Sequence, residues 1–466
     1  MQKTIIGVDF LTKISYFTIE KCNNCKNHLW DKTRTMEIKR DRYLEKLIKH
    51  RHNGLVKIIT GIRRCGKSYL LNKLFYRYLL DNGIKEDHII KFAFDSADDL
   101  ALIGEKLTDI QKKKRKVDPD KFIEFIKTKV TDNQLYYLLL DEVQMLDAFE
   151  SVLNGYLRND NMDVFVTGSN AKLLSKDIVT EFAGRGDEIH MQPLSFSEFM
   201  SVYKGDKYEG LSQYMLYGGI PLVVLANDNS DKVNLLQRLF EETYIRDIEQ
   251  RYKIRNKSEL EEILNVLSSS IGSLTNPEKL CNTFRSVKKS KITAATLKKY
   301  LDALNDSFLI DSVNRYDIKG KSYIASLKKY YFSDLGLRNA RINFRQIEQT
   351  HSMENIIYNE LKFRGLNVDV GVITSLEKNS EGKYIRKQLE VDFVCNQGTL
   401  RYYIQSAFSL PDKEKQLQET RPFTKIEDSF KKIIVTHDIV PKHYDDDGVL
   451  TVNIYEFLLD ETILNE

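Results

Sequence analysis

"LVKIITGIRRCGKSYLL" (residues 55–71) is the stretch on which the fold turns. Leu55–Thr60 is a short apolar run that stops at a glycine, which reads as a buried strand. Gly61, Ile62, Arg63, Arg64, Cys65, Gly66, Lys67 and Ser68 match G-x-x-x-x-G-K-[ST] in full, and Tyr69 carries the chain into a helix. Glycines let backbone N–H groups turn inward around phosphate oxygens. The helix that follows points its positive end at the same anion. In this pattern Lys67 offers a point charge to the β- and γ-phosphates, and Ser68 offers a hydroxyl to Mg²⁺.

Four more strands are expected after this one: "IIKFAFD" (89–95), "LYYLLLDE" (135–142), "MDVFVTGSN" (162–170) and "DEIHMQPL" (187–194). Helical segments separate them, so the expectation is an α/β core, a parallel sheet with helices on both faces. Asp141 ends the third run, where a carboxylate meets Mg²⁺ through water. Glu142 follows and suits a general base that polarises the attacking water. The plainer reading of such a pair is two ordinary strand-end carboxylates. Asn170 or Ser169, at the end of the next strand, suits a water-positioning role; Ser169 is equally well read as a helix N-cap. Arg185 lies between two glycines. It is either a phosphate-reaching arginine, in its own subunit or a neighbour's, or a plain surface-loop residue.

Bulk composition sets limits. The chain has 466 residues, 42% hydrophobic and 30% charged, and 71 basic against 67 acidic residues leave a net charge of +4. That length suggests about three domains, and the near balance of charge demands no nucleic-acid partner. No apolar run approaches the ~20 residues that span a bilayer. No secretory signal is read, and the five cysteines are odd in number and mostly isolated, which fits reduced thiols in a cytoplasm. Seven prolines and no Gly/Ser-rich linker argue for domains packed together.

The order of these motifs, with "GRG…PLSFSEF", "YGGIP", "YYFSDLGLRNA" and "ENIIYNEL…EVDFV…YYIQSA", resembles a prokaryotic AAA-type P-loop ATPase family whose members carry a C-terminal domain of unknown function. The resemblance runs from Met36 to the end. It implies ATP as nucleotide, Mg²⁺ as cofactor and a cytoplasmic prokaryotic setting, and it leaves the substrate open. The expected division is an extension at 1–35, Met36 being read as the natural start, an ATPase core at 36–200, a helical lid at 201–270, a winged-helix-like segment at 271–340 and a nuclease-like α+β domain at 341–466.

In "SKITAATLKKYLDALNDSFLIDSV" a stripe of Leu297, Tyr300, Leu301 and Leu304 is expected inside, with Thr293, Thr296, Lys298 and Lys299 outside. Such lysines suit phosphate contact; a small packing domain is the plainer alternative. The last segment resembles a PD-(D/E)xK nuclease core. That resemblance assigns Glu354 on the leading helix, with Glu360 beyond it, Asp392 in "EVDFV" and Gln405 in "YIQSA". The carboxylates of such a core hold Mg²⁺ and its lysine positions water. Here the lysine position is Ala407 and Gln405 is neutral, so nuclease activity is not expected.

"KKKRKV" (112–117) is read as a solvated loop, and Cys22-x-x-Cys25-x-x-His28 supplies only three ligands where a closed zinc site wants four. The expected function is Mg²⁺-dependent ATP hydrolysis driving a conformational change on a DNA or protein partner, with a homo-oligomer as one arrangement and no membrane. The alternative is a nucleic-acid-binding regulator or degenerate nuclease in which ATP only gates occupancy.

Overall fold

Five of the apolar runs become five strands: β1 (Val56–Thr60), β2 (Ile89–Ala93), β3 (Tyr136–Asp141), β4 (Met162–Thr167) and β5 (Gly186–His190). This is a computed structural model that describes residues 37–113, 115–168, 184–288, 292–345, 347–378 and 383–465. The expectations for residues 1–35, and for Ser169 and Asn170, lie outside the described residues. The strands lie in the order β2-β3-β4-β1-β5, and every pairing is parallel.

Alternation along each strand sorts the side chains onto two faces. Ile59, Tyr137, Leu139 and Phe165 join one apolar cluster, while Ile58, Leu138, Leu140, Val164 and Val166 join another. Both faces are therefore covered, which is why these strands read as nearly continuous apolar runs. Lys57 interrupts the run in β1 yet is fully buried. Its ammonium pairs with Asp163 of β4 and donates to the Leu55 carbonyl at 2.7 Å. Because β1, β3 and β4 are parallel, Thr60, Asp141 and Thr167 end at one edge of the sheet, the edge where open α/β sheets bind ligands.

From residue 196 helices dominate. Ser195 opens Phe196–Met200 through a reciprocal capping box with Glu198, and Asp206 and Asp228 cap Lys207–Tyr217 and Asn229–Arg238. In helix Ala294–Asp306, Leu297, Tyr300, Leu301 and Leu304 are buried, whereas Thr293, Lys298 and Lys299 are exposed and Thr296 is half-buried.

A second sheet holds β6 (Ile310–Asp317), β7 (Ser322–Phe332), β8 (Asn367–Lys378), β9 (Tyr384–Gln397), β10 (Leu400–Ala407), β11 (Lys431–Thr436), β12 (His443–Tyr444) and β13 (Leu450–Asn453). Its order is β12-β13-β11-β10-β9-β8-β6-β7. β8, β9 and β10 run antiparallel, β10, β11 and β13 parallel, and β6 joins β8 in parallel over Arg315–Asp317. Segments 271–340 and 341–466 thus contribute strands to one sheet. One apolar cluster reaches from Tyr43 to Leu464 and joins both halves of the chain. Among the described residues, no helix is long and apolar enough to cross a membrane.

Candidate nucleotide site

The loop after β1 is built on two glycines in left-handed backbone. Gly61 has φ +135°, and a Cβ there would stand 2.1 Å from the Met191 carbonyl oxygen, so no other residue fits. Gly66, at φ +105°, turns the chain into the helix beginning Lys67–Tyr69. Lys67 is buried, and its Nζ donates to the carbonyls of Gly61 (2.8 Å) and Ile62 (3.0 Å). Ser68 is exposed. The loop is braced from outside. Arg40 donates to the Cys65 carbonyl at 3.1 Å and pairs with Glu198 at 3.0 Å. The Tyr244 hydroxyl donates to the Arg63 carbonyl at 2.7 Å, and the Arg63 guanidinium lies 3.4 Å from Asp247.

Asp141 faces this loop. The Thr167 hydroxyl donates to one of its carboxylate oxygens and Asn72 Nδ2 to the other, the latter at 3.3 Å. Burial raises the Asp141 carboxyl above its ordinary range; hydrogen bonds from Thr167 and Ser68 and the charge of Lys67 oppose that rise. Glu142 adopts left-handed backbone at φ +52°, which turns the chain sharply out of the strand. Its N–H donates to Thr167 Oγ1 at 3.3 Å, and its carboxylate accepts from Gln144 Nε2. Lys67, Ser68 and Asp141 are thus brought together, with Glu142 on the same edge.

A further carboxylate shares this edge and was missed as a site residue. The β2–β3 register pairs Ala93 with Asp141, and Phe94 N–H donates to the Asp141 carbonyl at 3.0 Å. Asp95 comes next. Its carboxyl is raised by partial burial and by the charges of Glu142 and Asp141. The strand ending "FAFD" was legible, but its neighbour in the sheet was not.

Arg185 needs a correction as a residue of its own chain's site. Its carbonyl accepts from Val56 N–H at 2.9 Å, and Gly186 pairs with Val56 while His190 pairs with Thr60. Arg185 therefore sits at the opposite end of β1 from the loop, about 16 Å of strand away. The basic run at 112–117 is partly tied down: Arg115 pairs with buried Glu105, which Lys121 also meets at 3.0 Å.

In the C-terminal sheet, Glu354 (helix Gln349–Phe363), Asp392 (β9) and Gln405 (β10) converge. Asp392 N–H donates to Gln405 Oε1 at 3.3 Å, and Ser406 N–H donates to Asp392 Oδ2 at 2.9 Å. Glu360 lies apart, paired with Arg364 at 2.8 Å. Ala407 is buried in a separate apolar cluster. Among the described residues, no group of three or more His, Cys, Asp or Glu side chains is arranged to hold a metal ion. What occupies the centre instead is Lys329 of β7, which sequence reading did not single out.

A junction links the loop to this region. Pro221 Cγ lies 4.0 Å from where a Cβ on Gly66 would stand. The glycines just before it are held by buried Asp334, whose carboxylate accepts from the N–H groups of Gly219 (2.7 Å) and Leu337 (3.1 Å). Burial pushes the Asp334 carboxyl up to about 6, against those N–H bonds. Asn339 donates to the carbonyls of Met215 and Leu216, both at 2.9 Å.

The model of an AAA domain matches residues 53–200, and that of a Domain of unknown function (DUF8612) matches residues 208–348. An uncharacterized protein of Haemophilus influenzae is 33% identical over 432 residues, spanning 91% of this chain and 98% of that protein. Protein MJ1544 of Methanocaldococcus jannaschii is 26% identical over 424 residues, 87% of this chain and 86% of its own. Among solved structures, the Walker-type ATPase of Pyrococcus abyssi aligns over 66% of this chain and 97% of its own, at 16% identity and a TM-score of 0.40. AMPPCP-bound DnaA from Aquifex aeolicus aligns over 56% of this chain and 86% of its own, at 14% identity and a TM-score of 0.28. The chain belongs to the family of the Haemophilus influenzae protein, and its residues 53–200 match the model of an AAA domain.

Proposed function

We propose that the chain binds ATP with Mg²⁺ and hydrolyses it to drive a rearrangement on a DNA or protein partner. One observation carries this reading: the Gly61–Ser68 loop and the Asp141 carboxylate face each other across parallel strands, with Ser68 hydrogen-bonded to Asp141 and the charge of Lys67 acting on it. The donors present fit Mg²⁺, a hard cation that takes oxygen ligands: the Ser68 hydroxyl and the Asp141 carboxylate. When bound there, Mg²⁺ neutralises charge on the phosphates.

The chain's own residues do the rest. Backbone N–H groups from Gly61 to Ser68 cradle the phosphates, with Ile62, Arg63, Arg64, Cys65 and Tyr69 shaping the loop. Lys67 exchanges its two carbonyl partners for phosphate oxygens. Glu142 takes a proton from the attacking water, held in aim by Gln144 and Thr167. Asn170 is assigned to water positioning, and Arg185 to a neighbouring subunit's phosphates in a homo-oligomer, since its own loop is out of reach.

Coupling to the rest of the chain is supported by the close approach of Pro221 to Gly66 and by the Asp334 bond to Gly219 in the segment preceding it. We divide the chain into an ATPase core (36–200), a lid (201–270), a winged-helix-like segment (271–340) and a nuclease-like domain (341–466). An ATPase assay with and without DNA, run beside sizing with a slowly hydrolysed ATP analogue, tests the proposal; no Mg²⁺-dependent turnover under any condition sinks it. A second reading, a nucleic-acid-binding regulator gated by ATP, is favoured by exposed Lys298 and Lys299 near the start of their helix. DNA affinity that falls steeply with salt supports that reading.

A further inference from the structure

We infer that Lys329 fills, with its own ammonium, the seat that a divalent metal takes in a carboxylate cluster of this kind, making the cluster a metal-independent anchor and not a cutting centre. Three carboxylates from two elements meet at Lys329 Nζ: Glu354 at 2.8 Å, Glu390 at 2.8 Å and Asp392 at 3.5 Å. The lysine side chain is only 4% exposed. Glu354 and Asp392 have further partners, and His351 Nδ1 stands 3.9 Å from Glu354 Oε2. The Tyr331 hydroxyl donates to Glu354 Oε1 at 2.6 Å, and Ser406 N–H to Asp392 Oδ2 at 2.9 Å.

These spacings are ammonium-to-carboxylate spacings. A Mg²⁺ ion would need its oxygens at ~2.0–2.1 Å in near-octahedral array. It would also stand beside a buried positive charge, where water screens little. The two cations exclude each other. Burial alone drives the Lys329 ammonium toward neutrality, but the surrounding carboxylates outweigh it and hold the proton on.

The lysine arrives from β7, outside the strands that carry Asp392 and Gln405. Alternation along "KKYYF" turns Lys329 and Tyr331 toward Glu354 together. Five residues after Lys329 the same chain supplies Asp334, which grips Gly219 beside the nucleotide loop. An anchored β7 gives that grip a fixed base.

The inference is independent of the ATPase reading, so the test silences the nucleotide site first. Asp141→Asn protein, free of nucleotide, is titrated with Mn²⁺ alone or with EDTA, and its thermal midpoint is followed. With Lys329 intact, neither should move the midpoint. Adding Lys329→Ala should open the seat: Mn²⁺ then raises the midpoint by about 3 °C or more, and a further Asp392→Asn abolishes the rise. A Mn²⁺ response with Lys329 intact that Asp392→Asn removes overturns the inference, as does a folded Lys329→Ala protein blind to Mn²⁺. If the Lys329→Ala chain does not fold with or without Mn²⁺, the lysine-intact titration decides alone.

Discussion

The Thr167 hydroxyl, at the end of β4, donates to the carboxylate of Asp141, at the end of β3, and the same oxygen accepts the backbone N–H of Glu142. One side chain thereby aims both acids of the nucleotide site. Thr167→Val keeps the shape and removes both bonds. We expect kcat to fall about 10- to 100-fold, because misdirected groups lose near-attack geometry. ATP affinity should change little, and steady-state ATPase kinetics beside a binding titration separate the two.

Tyr244 acts on the loop from the helix Leu239–Ile245. Its hydroxyl reaches the Arg63 carbonyl at 2.7 Å although the ring is buried. Tyr244→Phe removes only that bond, costing about 1 kcal/mol of stability. A loosened loop should also weaken ATP binding several-fold, and denaturant unfolding together with nucleotide titration checks both effects. Unchanged affinity would leave Tyr244 with a packing role alone.

Lys57 and Asp163 form a pair inside the parallel sheet, with 0% and 4% of their side chains exposed. Lys57→Met strands a buried carboxylate and should destabilise the core by about 3–5 kcal/mol. Replacing both, with Asp163→Leu, should recover most of that loss. Urea unfolding of the two variants is the measurement.

Asp334 links stability to pH. Its carboxyl is pushed up to about 6 from an ordinary value of 3.8, first by burial. A raised carboxyl means the folded chain holds a proton that the unfolded chain has released, so folding is favoured as pH falls through about 6 toward 3.8. The span corresponds to about 3 kcal/mol. Asp334→Asn cannot titrate and places an amide against N–H donors, so it should be less stable throughout. The wild-type advantage over it should grow as pH falls from 7 to 4; an advantage that shrinks contradicts the assignment.

The nucleotide loop and its sheet were legible because glycine spacing and unbroken apolar runs are local properties. Asp141 and Glu142 were legible for the same reason: an acidic pair closing a buried strand is visible in one window. What escaped depends on register and on contacts between distant segments. Arg185 looked free to approach the loop until the Val56–Gly186 pairing set it at the far end of β1. Asp95 ended a recognised strand, but only the order β2-β3 puts it beside Glu142. Lys329 sat directly before "YYFSDLGLRNA", the stretch read for its resemblance, and alternation in β7 would have set it apart from Lys328. Nothing local announces Tyr244 as a brace, since its partner lies 181 residues earlier.

The most direct measurement is Mg²⁺-ATP binding and turnover by the wild type, Lys67→Ala and Glu142→Gln under the same conditions. The proposed site predicts that the wild type turns over, that Lys67→Ala binds ATP at least ~10-fold more weakly, and that Glu142→Gln binds normally while hydrolysing at least ~100-fold more slowly. Wild-type affinity in Lys67→Ala, or full turnover in Glu142→Gln, would contradict it.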